Sequence, residues 1–307
     1  MARLAAFPKA WLNDLGAGGT MMLREWIEMS RAFDIDGLEF YAGFRELADA
    51  ARWSEFRRQV EDQGLCIPML CCSPDFTHPD PFFRREQIDF EKRWIDMAAG
   101  LGAEFCRVLS GQRRPDVSRA DGIRFAADAI AECRRHAAER GVTLILENHY
   151  KDGFWVYPEF AQRIDVFLDL LREIPEGIDF GVNFDPSNCV VCGEDPIELL
   201  EAVKGRVVTM HASDRYFEGG TLADLQRLDQ DPRAGYATIL KHGVIGRGLN
   251  DYDRIFSILH GAGFDGWISI EDGADPGTTF EDIRQSALFL RRKMAEHGLG
   301  AHRRQIA

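Results

Sequence analysis

Short apolar runs alternate with longer amphipathic stretches along the whole chain. The β-prone runs fall at residues 4–7, 37–41, 65–72, 104–109, 142–147, 178–185, 207–211 and 267–271. Between them, apolar residues recur at helical spacing over 22–33, 47–63, 82–99, 117–140, 158–172, 196–203, 251–260 and 279–297. In the first of these, Leu23, Trp26, Ile27 and Met29 share a face, and Thr20 stands where an N-cap is expected. Gly64, Gly100, Gly141 and Gly261 follow helical patterns, as C-terminal glycines do, and Pro158 stands where proline opens a helix. Pro68 interrupts the third strand pattern. Eight strand–helix units joined by short polar links predict an α/β fold, a (β/α)8 TIM barrel, with residues 1–307 forming one domain. An open doubly wound sheet would carry a glycine-rich turn after its first strand. Here that turn reads Pro8-Lys9-Ala10-Trp11. One connection breaks the rhythm: residues 212–250, after the seventh strand, are expected to form a long irregular loop on the catalytic face, where such loops act as lids.

Composition narrows the classes. The chain has 307 residues, 45% of them hydrophobic, enough for a large core. Against 37 Lys and Arg stand 50 Asp and Glu, a formal charge of −13. Such a surface repels phosphate backbones and anionic membranes, so neither nucleic acid nor a membrane is an expected partner. No run is long enough to span a bilayer, and the first residues lack an apolar segment followed by a small-residue cleavage site. Seven cysteines, an odd number, fit a reducing cytoplasm better than a disulfide framework, and Cys189-x-x-Cys192 lacks a second ligand pair for a zinc site.

The chemistry sits at four strand ends. The runs Leu144-Ile145-Leu146-Glu147, Val182-Asn183-Phe184-Asp185, Val208-Thr209-Met210-His211 and Ser269-Ile270-Glu271 each finish on a residue able to bind a metal. In a barrel the C-terminal strand ends form the active face, and adjacent strands lie about 4.8 Å apart. Glu147, Asp185, His211 and Glu271 would then line one arc of the mouth. Any one of them alone reads as a polar group where a strand meets water, but four in register are hard to obtain from solvation alone. Three oxygen donors and one imidazole form a fairly hard site with room for two more ligands. That favours one divalent cation, Mn²⁺ first, with Mg²⁺, Co²⁺ or Fe²⁺ as alternatives. Open positions would admit a hydroxyl and a carbonyl oxygen of a substrate, with the metal as a Lewis acid stabilising an enediolate.

With these residues in place, the chain resembles the sugar phosphate isomerase/epimerase family with the xylose-isomerase-like barrel. That group includes ketose 3-epimerases, hydroxypyruvate isomerases and inosose dehydratases. The resemblance runs from Asp36-Gly37-Leu38-Glu39-Phe40 through Arg107-Val108-Leu109-Ser110-Gly111 to Trp267-Ile268-Ser269-Ile270-Glu271. It implies metal ligation by Glu147, Asp185, His211 and Glu271, with Glu147 and Glu271 also moving protons on opposite faces of a substrate carbon. It implies a small carbohydrate substrate, and a homo-oligomer or a small partner subunit. Where epimerases carry a histidine three residues after the aspartate ligand, this chain has Asn188, and the arginine that would hold substrate, Arg215, lies close behind His211. His149, two residues past Glu147, is a candidate base or a loop histidine bonded to backbone. A similar histidine occurs in related subunits that cleave 3-keto-C-glycosides by elimination. Lys9, Arg107, Asp214 and His78 complete the candidate substrate contacts, with Glu39 as a buried partner for Arg107. Trp11, Phe76, Phe154, Trp155 and Phe217 would stack on a sugar ring or form a subunit interface.

The expected activity is isomerisation or epimerisation of a ketose-like substrate, and the alternative is a lyase that begins with the same proton abstraction. A phosphodiester-cleaving relative of the barrel needs three zincs and more histidines than the eight present. A binding module with a degenerate site is opposed by the intact quartet.

Overall fold

A computed structural model describes residues 1–229, 239–271, 273 and 277–300. Its strands are β1 (Arg3–Ala6), β2 (Gly37–Leu38), β3 (Phe40–Tyr41), β4 (Met69–Cys71), β5 (Phe105–Val108), β6 (Thr143–Glu147), β7 (Phe180–Phe184), β8 (Val207–Ala212), β9 (Arg215–Phe217), β10 (Leu240–His242) and β11 (Trp267–Ile270). Nine of them form one parallel sheet in the order β2-β1-β11-β8-β7-β6-β5-β4-β3. β2 and β3 are two halves of one stave, split at Glu39, and they close the ring. β2 pairs with β1 and β3 with β4, while the Leu38 N–H donates to the Cys66 carbonyl and the Glu39 N–H to that of Ala6. Eight staves with helices outside them make the expected (β/α)8 barrel.

Two apolar layers hold it. Between staves and helices lies the larger one, with Trp26, Phe56, Phe167, Phe256 and Leu290 fully buried. Inside the barrel a smaller plug of Ala5, Phe7, Met69, Cys71, Phe105, Ile145 and Trp267 fills the lower part. Strand side chains alternate between faces, so the next inward positions above this plug carry polar groups: Arg107 after Phe105, Glu147 after Ile145, and Ser269 then Glu271 after Trp267.

Helix starts follow local capping chemistry. Asp80, Ser118, Asp195 and Asp251 each accept a backbone N–H from the first turn of the helix they precede. Several boundaries differ from the sequence expectation; the α-helix expected over 47–63, for example, spans Trp53–Glu61, and the strand expected over 65–72 spans Met69–Cys71. The helix expected to stop at Gly100 runs Pro81–Leu101 and turns at Gly102, whose φ of 72° is left-handed. The helix expected from Pro158 begins at Ile164, because the segment before it bonds to the loop after β5: the Phe160 N–H donates to the Gly111 carbonyl, and Glu159 accepts from Ser110. The stretch after β8 is partly ordered. β9 and β10 form an antiparallel hairpin, and Leu222–Leu228 is helical with Thr221 and Asp224 forming a capping box. The part at 230–238 lies outside the described residues.

Gly100 sits inside its helix because a β-carbon there would stand 2.4 Å from the Trp53 ring, which is held by an indole N–H···O bond of 2.8 Å to Leu47. Alanine would ordinarily gain about 1 kcal/mol over glycine in a helix. Overpacking of roughly 1–3 kcal/mol outweighs that here. Gly100→Ala is therefore expected to lower the denaturation free energy, measured in urea. An increase would show that Trp53 swings aside freely.

Candidate metal centre

The four strand-end residues converge. Donor atoms of Glu147, Asp185, His211 and Glu271 all lie within 4.8 Å of one another, and all four side chains are buried. Adjacent staves place them: Glu147 is in register with Asn183, two residues before Asp185, and His211 with Ser269, two before Glu271. Asp185 closes β7 and at the same time caps the short helix Pro186–Val191. Its Oδ1 accepts the Ser187 N–H at 2.8 Å, the Asn188 N–H at 3.3 Å and the Ser213 hydroxyl at 2.7 Å. Asn148 fixes its backbone by a reciprocal pair of bonds to the Asp185 N–H and carbonyl.

His211 is held on both sides. Its Nε2 lies 2.9 Å from Glu39 Oε2 and its Nδ1 3.2 Å from Glu147 Oε1. Carboxylates flank both ring nitrogens, and against burial Glu147, Glu39 and Glu271 raise the imidazole pKa well above its ordinary value, so without a cation both nitrogens donate; a cation in the quartet would take Nδ1 and leave the Nε2 proton on Glu39. Each glutamate of the quartet has its own cation. Arg107 Nη1 is 2.6 Å from Glu147 Oε2, and Lys9 Nζ is 3.3 Å from Glu271 Oε1. Asn188 Nδ2 reaches Glu147 Oε1 at 3.3 Å.

Residues 27–293 match the family described as xylose isomerase-like TIM barrel. The chain belongs to that family. Among curated proteins, the inosose dehydratase of Bacillus thuringiensis (strain Al Hakam) is 24% identical over 172 residues, 54% of this chain and 53% of the relative. That of Geobacillus thermodenitrificans (strain NG80-2) is 26% identical over 159 residues, 50% of this chain and 49% of the relative. The chain spans about half the length of the curated relatives it matches. Among solved structures, a D-tagatose 3-epimerase-like protein superposes with a TM-score of 0.74 at 16% identity, covering 96% of this chain and 98% of the other. An IOLI protein with a bound zinc atom gives 0.74 at 16% identity, over 96% and 99%. The probable 3-DHS dehydratase AsbF of Bacillus anthracis gives 0.70 at 15% identity, over 94% and 98%. These structural likenesses show the shared fold.

The charges in this xylose isomerase-like barrel are in tension. Burial raises the pKa of every carboxyl in the mouth. Against burial, Arg107, His211 and His149 hold Glu147 well below the usual carboxylate range, and Lys9 and His211 hold Glu271 at about 2. Asp185 has no Lys or Arg salt bridge among the described residues, and Lys9 and His211 only partly offset what raises it. Burial and the negative charges of Glu271 and Glu147 push it up to about 7. Its Oδ2 is buried and makes no hydrogen bond among the described residues. An unpartnered carboxylate oxygen among three other donors is what a divalent cation would occupy, so the donor set fits one.

Other candidate residues divide. His149 is buried and stacked on Tyr150 at 5.1 Å, with Nδ1 unpartnered among the described residues, and burial lowers its pKa to about 4. Arg215 is buried on β9, with Nη1 2.7 Å from His242 Nε2 and its guanidinium 5.5 Å from the Tyr150 ring centre. Asp214 turns into its own loop. Both its oxygens accept backbone N–H groups, from Arg215, Gly246, Gly248 and Asn250 at 2.9–3.2 Å, so it builds the loop in place of the expected substrate contact. His78 is likewise taken up locally: its Nδ1 accepts the Asp80 N–H, and its ring packs on Phe83 at 4.2 Å. Glu39 pairs with His211, whereas the sequence suggested Arg107. Arg107 pairs with Glu147 because both stand one inward position above the plug. The aromatic set does not cluster either. Trp11 packs on Trp26 and Phe76 lies in the core, while Phe154 is exposed. Asn148, Ser187 and Ser213 escaped the sequence reading, since their side-chain bonds to Asp185, Asn250 and Cys189 are tertiary and leave no spacing signature.

Two measurements bear on the quartet. Glu147→Gln and His211→Ala are expected to abolish tight Mn²⁺ binding in titrations of metal-free protein, and unchanged affinity in both would rule the site out. Glu39→Gln keeps the shape but weakens the orientation of His211. Mn²⁺ affinity should fall about 10–100-fold with the unfolding midpoint little changed.

Proposed function

We propose that the quartet binds one divalent cation, with Mn²⁺ the best match to three oxygens and one nitrogen, and that the chain removes a proton beside a carbonyl group of a carbohydrate or cyclic polyol. The observation that carries this reading is the pairing of Glu147 with Arg107 and of Glu271 with Lys9 inside one buried cluster. Each carboxylate is thereby kept ionised at neutral pH, ready to take a proton. A divalent cation bound there supplies Lewis acidity toward the substrate carbonyl. Arg107 and Asn188 hold Glu147 in place through Oε2 and Oε1, and the ammonium of Lys9 does the same for Glu271. One carboxylate takes the proton and the other returns one at the neighbouring or the same carbon, giving isomerisation or epimerisation. In this reading Lys9 and Arg215 hold substrate oxygens, and what supports it is that Lys9 Nζ lies 3.3 Å from Glu271 Oε1 and that Arg215 is buried on β9, which pairs with β10.

A second reading, elimination, draws on a separate observation. His149, two residues from Glu147, keeps a buried Nδ1 that is unpartnered among the described residues, and with its pKa lowered by burial to about 4 it is neutral at pH 7, as a base must be. The curated relatives at 24% and 26% identity are inosose dehydratases, and a related lyase would dehydrate a keto-cyclitol or cleave a 3-keto-glycoside. No described helix is long and apolar enough to cross a membrane.

Incubation of Mn²⁺-loaded protein with ketoses and keto-cyclitols in D₂O tests both outcomes. Deuterium uptake without loss of a group supports the isomerase reading. Release of water or an aglycone supports the lyase. No exchange on any such substrate would overturn both. Glu147→Gln and Glu271→Gln should each slow the exchange by about 10²–10⁴-fold. His149→Ala should abolish the elimination while leaving Mn²⁺ affinity within about threefold, because His149 is outside the quartet.

A further inference from the structure

Outside the barrel wall, on the face opposite Arg107, lies a second group of metal-ligating side chains. Cys72 follows β4, Cys106 lies on β5, and Glu91 points inward from the helix Pro81–Leu101; all three are fully buried in the layer between staves and helices. Cys72 Sγ and Cys106 Sγ are 3.7 Å apart, and Cys106 Sγ is 3.4 Å from Glu91 Oε1. One donor atom from each residue lies within 4.8 Å of the other two. Glu91 Oε2 is buried and unpartnered among the described residues.

These separations have a specific meaning. Tetrahedral zinc, with Zn–S of about 2.3 Å and Zn–O of about 2.0–2.2 Å, sets two sulfurs about 3.8 Å apart and sulfur and oxygen about 3.5–3.7 Å apart. The observed sulfur–sulfur separation of 3.7 Å falls at that spacing, the sulfur–oxygen separation of 3.4 Å lies just inside it, and the third pair is within 4.8 Å. Leaving one carboxyl oxygen without a partner costs about 1–3 kcal/mol in such an apolar layer. Burial pushes the Glu91 carboxyl up to about 8 and the Cys72 thiol up to about 12, so without a cation the group is a neutral and poorly satisfied cluster. A further thiol, Cys133, is buried in the same layer on the helix Arg119–Glu139.

We propose that Cys72, Cys106 and Glu91 form a structural site for a thiophilic divalent cation, zinc in the first instance, that ties β4 and β5 to the helix Pro81–Leu101. The site is separate from the quartet. Its donors are two thiolates and one carboxylate, so it selects a softer ion than three carboxylates and an imidazole do. Binding releases the two thiol protons, and the carboxyl proton where it is held, and no electron transfer is involved. Because the site is enclosed, the ion enters as the chain folds, and the ion's binding energy becomes part of the stability of that wall.

Cobalt reports on this site without reference to activity. Full-length protein refolded with Co²⁺ should show the near-ultraviolet charge-transfer absorption of a cobalt thiolate. Asp185→Asn, which disables the quartet, should keep that absorption, while Cys106→Ser and the smaller change Cys72→Ala should each lose it. Zinc content after expression in zinc-supplemented medium should fall by one equivalent per chain in either cysteine variant and stay unchanged in Leu288→Ala, an exposed control. Circular dichroism identifies any variant that fails to fold, and the remaining cysteine variant then decides. Absence of thiolate absorption in folded wild-type protein, or its survival in a folded cysteine variant, would overturn the site. Failure of the quartet alone would instead show as loss of Mn²⁺ binding with the cobalt thiolate band intact.

Discussion

Three carboxylates and an imidazole buried within 4.8 Å of one another are the constraint around which the mouth of this barrel is arranged. Like charges at that separation in a poorly solvated site repel strongly, and each ionised group loses its hydration. The fold answers with one cation for each of the two glutamates. Arg107 comes from the neighbouring stave and Lys9 from the loop after the first strand, so each reaches one glutamate and not the other. Asp185 receives hydrogen bonds in place of a cation, two from the turn it caps and one from Ser213. That difference leaves Asp185 as the carboxyl that most readily keeps its proton, and a cation added beside its Oδ2 would displace that proton and offset the repulsion from the two glutamates.

The same requirement explains why the loop after β8 is so long. Asp214 gathers the N–H groups of Gly246, Gly248 and Asn250, which folds the loop back on itself. Asn250 then donates to Ser187 and to the Ser213 carbonyl, and Tyr252 donates to that carbonyl from the next helix. Ser213 and Ser187 are in turn partners of Asp185 through its Oδ1. The loop that carries Arg215 is thus wired to a metal-ligand candidate through a short chain of hydrogen bonds. Movement of Arg215 toward or away from a substrate would be felt at Asp185, and the reverse holds as well.

Much of this was readable in the chain. Short apolar runs with a ligand at the end specify both the stave and the height of the side chain in the barrel. Glu147, Asp185, His211 and Glu271 could therefore be placed before any coordinates were known. Residues whose role is set by tertiary partners could not. Glu39 stands in the middle of an apolar strand, and a buried glutamate there can meet any inward neighbour. Only closure of the ring decides for His211 over Arg107. Asp214 reads as a free carboxylate beside a ligand strand until the glycines of a distant turn are seen folded against it. Pro158 is a good helix opener by local rules. Glu159, buried against the Ser110 hydroxyl and N–H, overrides those rules and delays the helix to Ile164.

Strand β5 shows how one short segment can serve two chemistries at once. Arg107 faces the interior, where it holds Glu147 ionised; Cys106, its neighbour in sequence, faces outward beside Cys72 and Glu91. Alternation along a strand makes these two faces chemically independent while keeping their backbones joined. A hard-donor cluster inside and a thiol cluster outside can then coexist without competing for the same ion. Their coupling would be mechanical. A cation between Cys72 and Cys106 would fix the spacing of β4 and β5, and Arg107 binds the Cys72 carbonyl and the Ser73 hydroxyl across that same junction. The position of the guanidinium that serves Glu147 therefore depends on how firmly those two staves are held together.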